Sequence, residues 1–235
     1  MTQPETLQYQ YLFHLVDGRN VEIPVVLDTR NLSLISEKKH VYPEWVLLSY
    51  QQCRNCSLDG STARYCPAAA ALSDIVLAFK GVPGDSTADI TVHSPHRNYL
   101  KRTTVEEGVS SLAGLCLSTC GCPVLSLLRP LVNFHLPFST IDETRYRVIS
   151  MYLMAQFLGS QKGAGADWKL ERLKNLYEEI QVVNKGLEKR FAGLAKEGVH
   201  LNALVKLDCY VKDILLSLSD DEMLGHVRQL FSVYL

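Results

Sequence analysis

Six of the seven cysteines of this chain are gathered in two short, widely separated stretches, Cys53, Cys56 and Cys66 in the first and Cys116, Cys120 and Cys122 in the second. Any fold that puts these thiols to common use must bring both stretches to one place. That restricts topology more than any local propensity does. The first stretch carries a C-x-x-C pair, Cys53-Arg54-Asn55-Cys56, and after a loop through Asp59-Gly60 reaches Cys66-Pro67; the second ends in Gly121-Cys122-Pro123. A C-x-x-C turn can aim two sulfurs at one ion, and two further thiolates close a tetrahedral site. Cys53, Cys56, Cys66 and Cys122 are therefore the expected ligands, with Cys120 and His135 in reserve, and structural zinc is the expected metal.

Both Cys-Pro pairs place a cysteine where a helix begins, because proline is most at home in the first helical position. Backbone N–H groups and the positive end of the helix dipole then favour the thiolate, the form that binds a metal. Other readings of these residues stay open. An iron–sulfur cluster suits the surplus of neighbouring thiols, although the compact C-x-x-C-x-x-C run is missing. Thiol-redox chemistry at Cys53 and Cys56 could use Arg54 to stabilise a thiolate, but Ser57-Leu58-Asp59-Gly60 promises a loop where a thioredoxin-like site has a helix. Free cysteines are also often buried, and Cys116 and Cys209 are expected in the core. His135, between Phe134 and Leu136, is read as a core histidine in need of a hydrogen-bond partner before it is read as a ligand or base.

Lys plus Arg (24) nearly equals Asp plus Glu (25), so no global field argues for nucleic acid or an anionic membrane. The chain has no run of about 18 uninterrupted apolar residues, and its start, Met1-Thr2-Gln3-Pro4, lacks the pattern of a secretory signal. A cytoplasmic protein with neither nucleic-acid nor membrane partners is expected. In a reducing compartment, clustered cysteines read as metal ligands before disulfides. The basic stretch from His96 to Arg102 reads most simply as an edge strand guarded by charge. No Walker loop, dinucleotide fingerprint, H-E-x-x-H helix or nucleophile elbow is present, so the common nucleotide, zinc-protease and hydrolase classes lose their sequence support.

Along the chain, Leu7 to Val16 and Arg19 to Leu27 form a hairpin across Asp17-Gly18. Trp45 to Tyr50 reads as a third strand that delivers the chain into Cys53. A helix opens at Pro67, and a second hairpin pairs Ala88–His93 with Asn98–Thr103. The next helix starts at Thr104 with Glu107 in capping-box spacing and stops at Gly121. An apolar stretch bent by Pro130 follows, then a helix from Ile141 to Leu158, capped by Thr140 and Glu143, on which Arg145 and Arg147 read as a solvated face. Gly159 to Ala166 is the clearest flexible break, dividing a mixed cysteine-rich region, residues 1–158, from a helical region, residues 167–235. In the latter, Leu170, Leu173, Tyr177, Ile180, Asn184, Leu187, Phe191 and Leu194 form a heptad-like seam with one buried amide. A second helix carries Leu204 to Leu218, and a third starts near Ser219-Asp220-Asp221-Glu222. The expected class is α+β: a small antiparallel sheet with helices and a cysteine metal site, followed by a C-terminal antiparallel helical bundle.

Taken together, Cys53-x-x-Cys56, Cys66-Pro67, Gly121-Cys122-Pro123 and Phe134-His135-Leu136-Pro137-Phe138 make this chain resemble an uncharacterised bacterial family of similar length. The resemblance spans most of the chain and implies no activity. The residues themselves point to a zinc-stabilised interaction or regulatory protein rather than an enzyme, engaging a protein partner or a second copy through its C-terminal helices. The alternative is a redox protein that uses the cysteine cluster for iron–sulfur or thiol chemistry.

Overall fold

The computed structural model describes residues 5–36, 41–61, 63–192, 194, 200–219 and 225–234. Strands β1 (Thr6–Leu15) and β2 (Asn20–Asp28) make the opening hairpin. Its turn is held by the Asp17 carboxylate, which accepts the Arg19 N–H at 3.0 Å, and by Gly18 at φ +87°, a conformation glycine adopts without steric cost. The short β3 (Leu34–Ile35) pairs with β2, and β4 (Thr87–His93) and β5 (Asn98–Thr104) form the second hairpin. All pairings are antiparallel and the order is β3-β2-β1-β4-β5. The strand bearing Lys101 and Arg102 is thus an edge, where charge discourages pairing with another chain.

Side chains of β1 alternate strictly: Tyr9, Tyr11, Phe13 and Leu15 are buried while Gln8 and His14 are exposed. One face of the sheet is therefore covered. Helices α1 (Pro67–Ala78) and α2 (Val105–Thr119) contribute to that cover. Phe13 meets Phe79 edge to face at 4.7 Å, and each such fully buried side chain contributes about 1.5–3 kcal/mol. Gly108 lets α2 come close, since a Cβ there would lie 2.4 Å from Ile90 and 2.5 Å from Phe13.

Beyond a 3-10 segment (Leu125–Phe134) come α3 (Ile141–Ser160), α4 (Glu171–Ala192), α5 (His200–Ser219) and α6 (Gly225–Leu230). Helix α4 packs on α5, which packs in turn on α2. The heptad-like seam faces the chain's own core: Leu173, Tyr177, Ile180, Asn184, Leu187 and Phe191 are all buried. The C-terminal helices thus share the core of the sheet region. The expected start of the last helix, residues 220–224, lies outside the described residues. Among the described residues no helix is long and apolar enough to cross a membrane.

Several local expectations need correction. Trp45 to Tyr50 is not a strand; a 3-10 turn spans Glu44–Val46, and Leu47 forms only an isolated bridge to Tyr65. The alternation was real, since Val46 and Leu48 are buried, but the carbonyls of Trp45 and Leu47 accept from Arg190 Nη1 at 2.5 and 2.7 Å instead of from a neighbouring strand. Thr140 and Glu143 form the expected capping box. Thr104 and Glu107 do not, because Glu107 accepts from Lys101 at 2.7 Å and from the Thr103 hydroxyl. Arg145 is buried and paired with Asp142 at 2.6 Å rather than solvated. Cys116 is buried as expected, but Cys209 is exposed. The glycine-rich connection is tied down at Asp167, which accepts from Tyr152 at 2.8 Å and from the first N–H groups of α4 at 3.2 and 2.8 Å.

Candidate functional site

Local backbone geometry carries the cysteines to one place. The Leu47–Tyr65 bridge, with the Cys66 N–H donating to Val46 at 2.9 Å, closes the loop that carries Cys53 and Cys56. Cys66 itself is the extended residue that opens α1. Gly121, at φ +90°, turns the chain out of α2 so that Cys122 precedes the 3-10 segment. Helix α4 forms the wall behind the loop. The Cys53 sulfur lies so near Gly186 that a Cβ there would stand 2.5 Å from it, and Asn55 Nδ2 donates to the Glu179 carbonyl at 3.0 Å and to its carboxylate at 2.5 Å.

The thiols act on one another. Burial, and then the charges of Cys66, Cys122 and Cys56, push the Cys53 thiol up to about 11, against the opposing pull of Arg190. Burial also raises Cys122, whose thiolate is favoured by the N–H groups of Leu125 and Val124 and disfavoured by Cys66 and Cys56. Cys120 is raised by burial, with Cys122 and Cys66 adding to it. The four expected ligands and Cys120 therefore share one neighbourhood. All seven cysteines are free thiols. Raised thiols are protonated at neutral pH and are poor nucleophiles, which takes support from thiol-redox chemistry at Cys53.

Gathering is not yet coordination. Among the described residues, no group of three or more His, Cys, Asp or Glu side chains is arranged to hold a metal ion. The sulfurs instead face backbone carbonyls: Cys53 faces Val183 at 4.0 Å, Cys56 faces Leu58 at 3.9 Å and Cys120 faces Leu117 at 3.1 Å. Closing on one ion requires the thiols to lose their protons and to turn about χ1.

His135 is held by aromatic residues of β1. Its Nε2 is 2.7 Å from the Tyr11 hydroxyl, which also meets Ser111 Oγ at 2.9 Å, and its ring stands edge-on to Tyr9 at 5.5 Å. The ring lines a cavity bounded by α2, the 3-10 segment, α3, α4 and α5. Burial, with the charge of Arg147 adding to it, pulls its pKa down to about 3. The unfolded chain, with a histidine near about 6.5, then binds a proton that the folded chain refuses between these values. Stability is full above about pH 6.5 and declines as pH falls towards about 3, by at most about 1.4 kcal/mol per pH unit. Urea unfolding at about pH 7 and about pH 5.5 should show this decline, and His135→Gln should flatten it. An equal slope in both proteins would rule out His135 as the source.

Three residues of this region were not singled out from the sequence: Arg190, Gly186 and, as more than a surface charge, Arg147. Gly186 did carry a signal, because a glycine inside a long helical pattern implies close approach of another segment. Arg190, next to Phe191 in the apolar seam, carried a weaker one.

A family model described as a domain of unknown function (DUF6901) matches residues 7–232, and the chain belongs to that family. No curated protein and no solved structure matches. The expected membership of an uncharacterised family is met, and it brings no activity with it.

Proposed function

We propose that this member of the DUF6901 family is a metal-clasped interaction protein, in which Cys53, Cys56, Cys66 and Cys122 take one zinc ion. The supporting observation is the convergence of thiols from three segments, in which Cys66, Cys122 and Cys56 oppose the ionisation of Cys53, and Cys66 and Cys56 that of Cys122. A dication that displaces their protons reverses that opposition and ties the loop, the start of α1 and the start of the 3-10 segment together. Its binding free energy then becomes folding free energy. A reducing, cytoplasmic setting would keep the thiols available.

The interaction role rests on what the helices leave outside. The α4 seam is spent on the chain's own core, whereas Met154, Phe157 and Leu158 of α3 and Trp168 beyond it are exposed. A protein partner or a second copy would cover such side chains. The alternative is an iron–sulfur cluster, which a surplus of free thiols in these segments also suits.

Protein purified without oxygen should contain one equivalent of zinc and show no visible absorption band. Cys122→Ser should reduce bound zinc to a small fraction of an equivalent and lower the unfolding midpoint. Iron with sulfide and a broad visible band would replace the zinc reading with the cluster, and no metal at all would overturn both.

A further inference from the structure

The cavity that His135 lines has a volume of about 180 Å³. It is smaller than a drug-sized pocket and comparable with cavities that hold a single aromatic ring. Leu115, Leu128, Val132, Ile180, Leu207 and Ile214 supply apolar wall. Two polar side chains in the lining bear on what it could hold.

The first is Asn184. It is 3% exposed and lines the cavity. An amide in the wall can both donate to and accept from a ligand there. The second is Arg147. Its Nη2 donates to the Leu131 carbonyl at 3.0 Å and the Phe134 carbonyl at 2.8 Å. Arg147 feels the charge of Glu143, but that carboxylate is taken by the Thr140 N–H at 2.8 Å and the Thr140 hydroxyl at 3.0 Å. A guanidinium in the lining of an apolar cavity matches a carboxylate in charge and shape.

The remaining charges keep the lining positive. Glu107 is engaged by Lys101 at 2.7 Å and by Lys206 at 4.0 Å. His135 stays neutral at physiological pH and adds no charge of its own. The two groups also lie at different levels. Arg147 and Tyr177 act on each other electrostatically, and Tyr177 and Asn184 stand about 10 Å apart along α4 at about 1.5 Å per residue. We infer that the cavity binds a small carboxylate with an apolar body, its anionic end held by Arg147 and its body lying along α4 towards the amide of Asn184. This site is separate from the cysteine junction and does not depend on a metal.

Calorimetry on the full chain, with hexanoate, hexan-1-ol and hexylammonium as probes, tests the inference. Hexanoate should bind with a Kd of roughly 0.1 mM, as expected for a well-housed ligand of this size. It should bind at least about tenfold tighter than the alcohol, with the amine weakest. Arg147→Gln should bring hexanoate to the affinity of the alcohol and leave the alcohol unchanged. Asn184→Leu should spare hexanoate but weaken 6-hydroxyhexanoate, whose far hydroxyl would meet the amide. Equal binding of acid and alcohol, preference for the amine, or no binding of acids of four to ten carbons at millimolar concentration would overturn the inference. The comparison of head groups uses the unaltered protein, so it decides the matter even if Arg147→Gln does not fold.

Discussion

Arg190→Met should destabilise the protein by about 2 kcal/mol, seen as a lower urea midpoint with an unchanged m-value. The side chain is 2% exposed, and its Nη1 satisfies the carbonyls of both Trp45 and Leu47. Methionine keeps the apolar stem but takes from the half-buried Trp45 carbonyl its side-chain donor, while the Leu47 carbonyl keeps the Tyr50 N–H at 3.1 Å; an acceptor left unpaired costs about 1–3 kcal/mol. The guanidinium also lies 5.7 Å from the centre of the Tyr50 ring, a contact worth about 0.5–1 kcal/mol or more where water is excluded. Arg190→Lys should recover only part of the loss, because an ammonium on a shorter stem lacks the planar guanidinium face that lies over Tyr50. A midpoint change equivalent to less than about 1 kcal/mol would show that the Trp45 carbonyl finds another donor.

The same residue explains which parts of the fold were legible. Elements decided by local chemistry were read closely: the Asp17-Gly18 hairpin, the Pro67 helix start, the Thr140–Glu143 capping box and the Gly121 stop all depend on residues a few positions apart. Trp45 to Tyr50 was misread because its apolar alternation is indeed strand-like, while the groups that use its carbonyls lie on α4, more than a hundred residues later. Arg145 and Arg147 were misread for a similar reason. A charged pair early in a helix resembles a solvated face until the 3-10 segment supplies carbonyls for Arg147 and burial encloses Arg145.

Of the Cys-Pro grammar, the helix start at Cys66-Pro67 was legible, and the charges of Cys66 and Cys122 reach Cys53. Orientation was not legible. Whether a thiol faces an ion or a carbonyl is decided by χ1 and protonation, which leave no mark in sequence spacing. Nor could a seam pattern reveal that Asn184 faces a cavity, because an inward amide looks the same whether its partner is another helix, water or a ligand.

The contact between Gly186 and Cys53 is expected to give a coupling of about 2 kcal/mol in a double-mutant cycle. In an ordinary helix interior, Gly→Ala stabilises by about 1 kcal/mol. Here the new methyl would stand 2.5 Å from the Cys53 sulfur and 3.5 Å from its Cβ. The sulfur must therefore leave its place against α4, and Gly186→Ala should destabilise the native protein. With Cys53→Ala already in place, only the ordinary contact at 3.5 Å remains, so the same substitution should become stabilising by the helix-propensity gain. This reversal of sign separates packing against sulfur from a general intolerance of side chains at this position. If Gly186→Ala destabilises equally in both backgrounds, another neighbour excludes the methyl; if it stabilises in both, the sulfur moves aside without cost. The cycle also bears on metal binding. A sulfur driven off α4 must turn elsewhere, so bound metal in Gly186→Ala, compared with the unaltered protein, reports whether the position of Cys53 against the helix helps or hinders the proposed clasp.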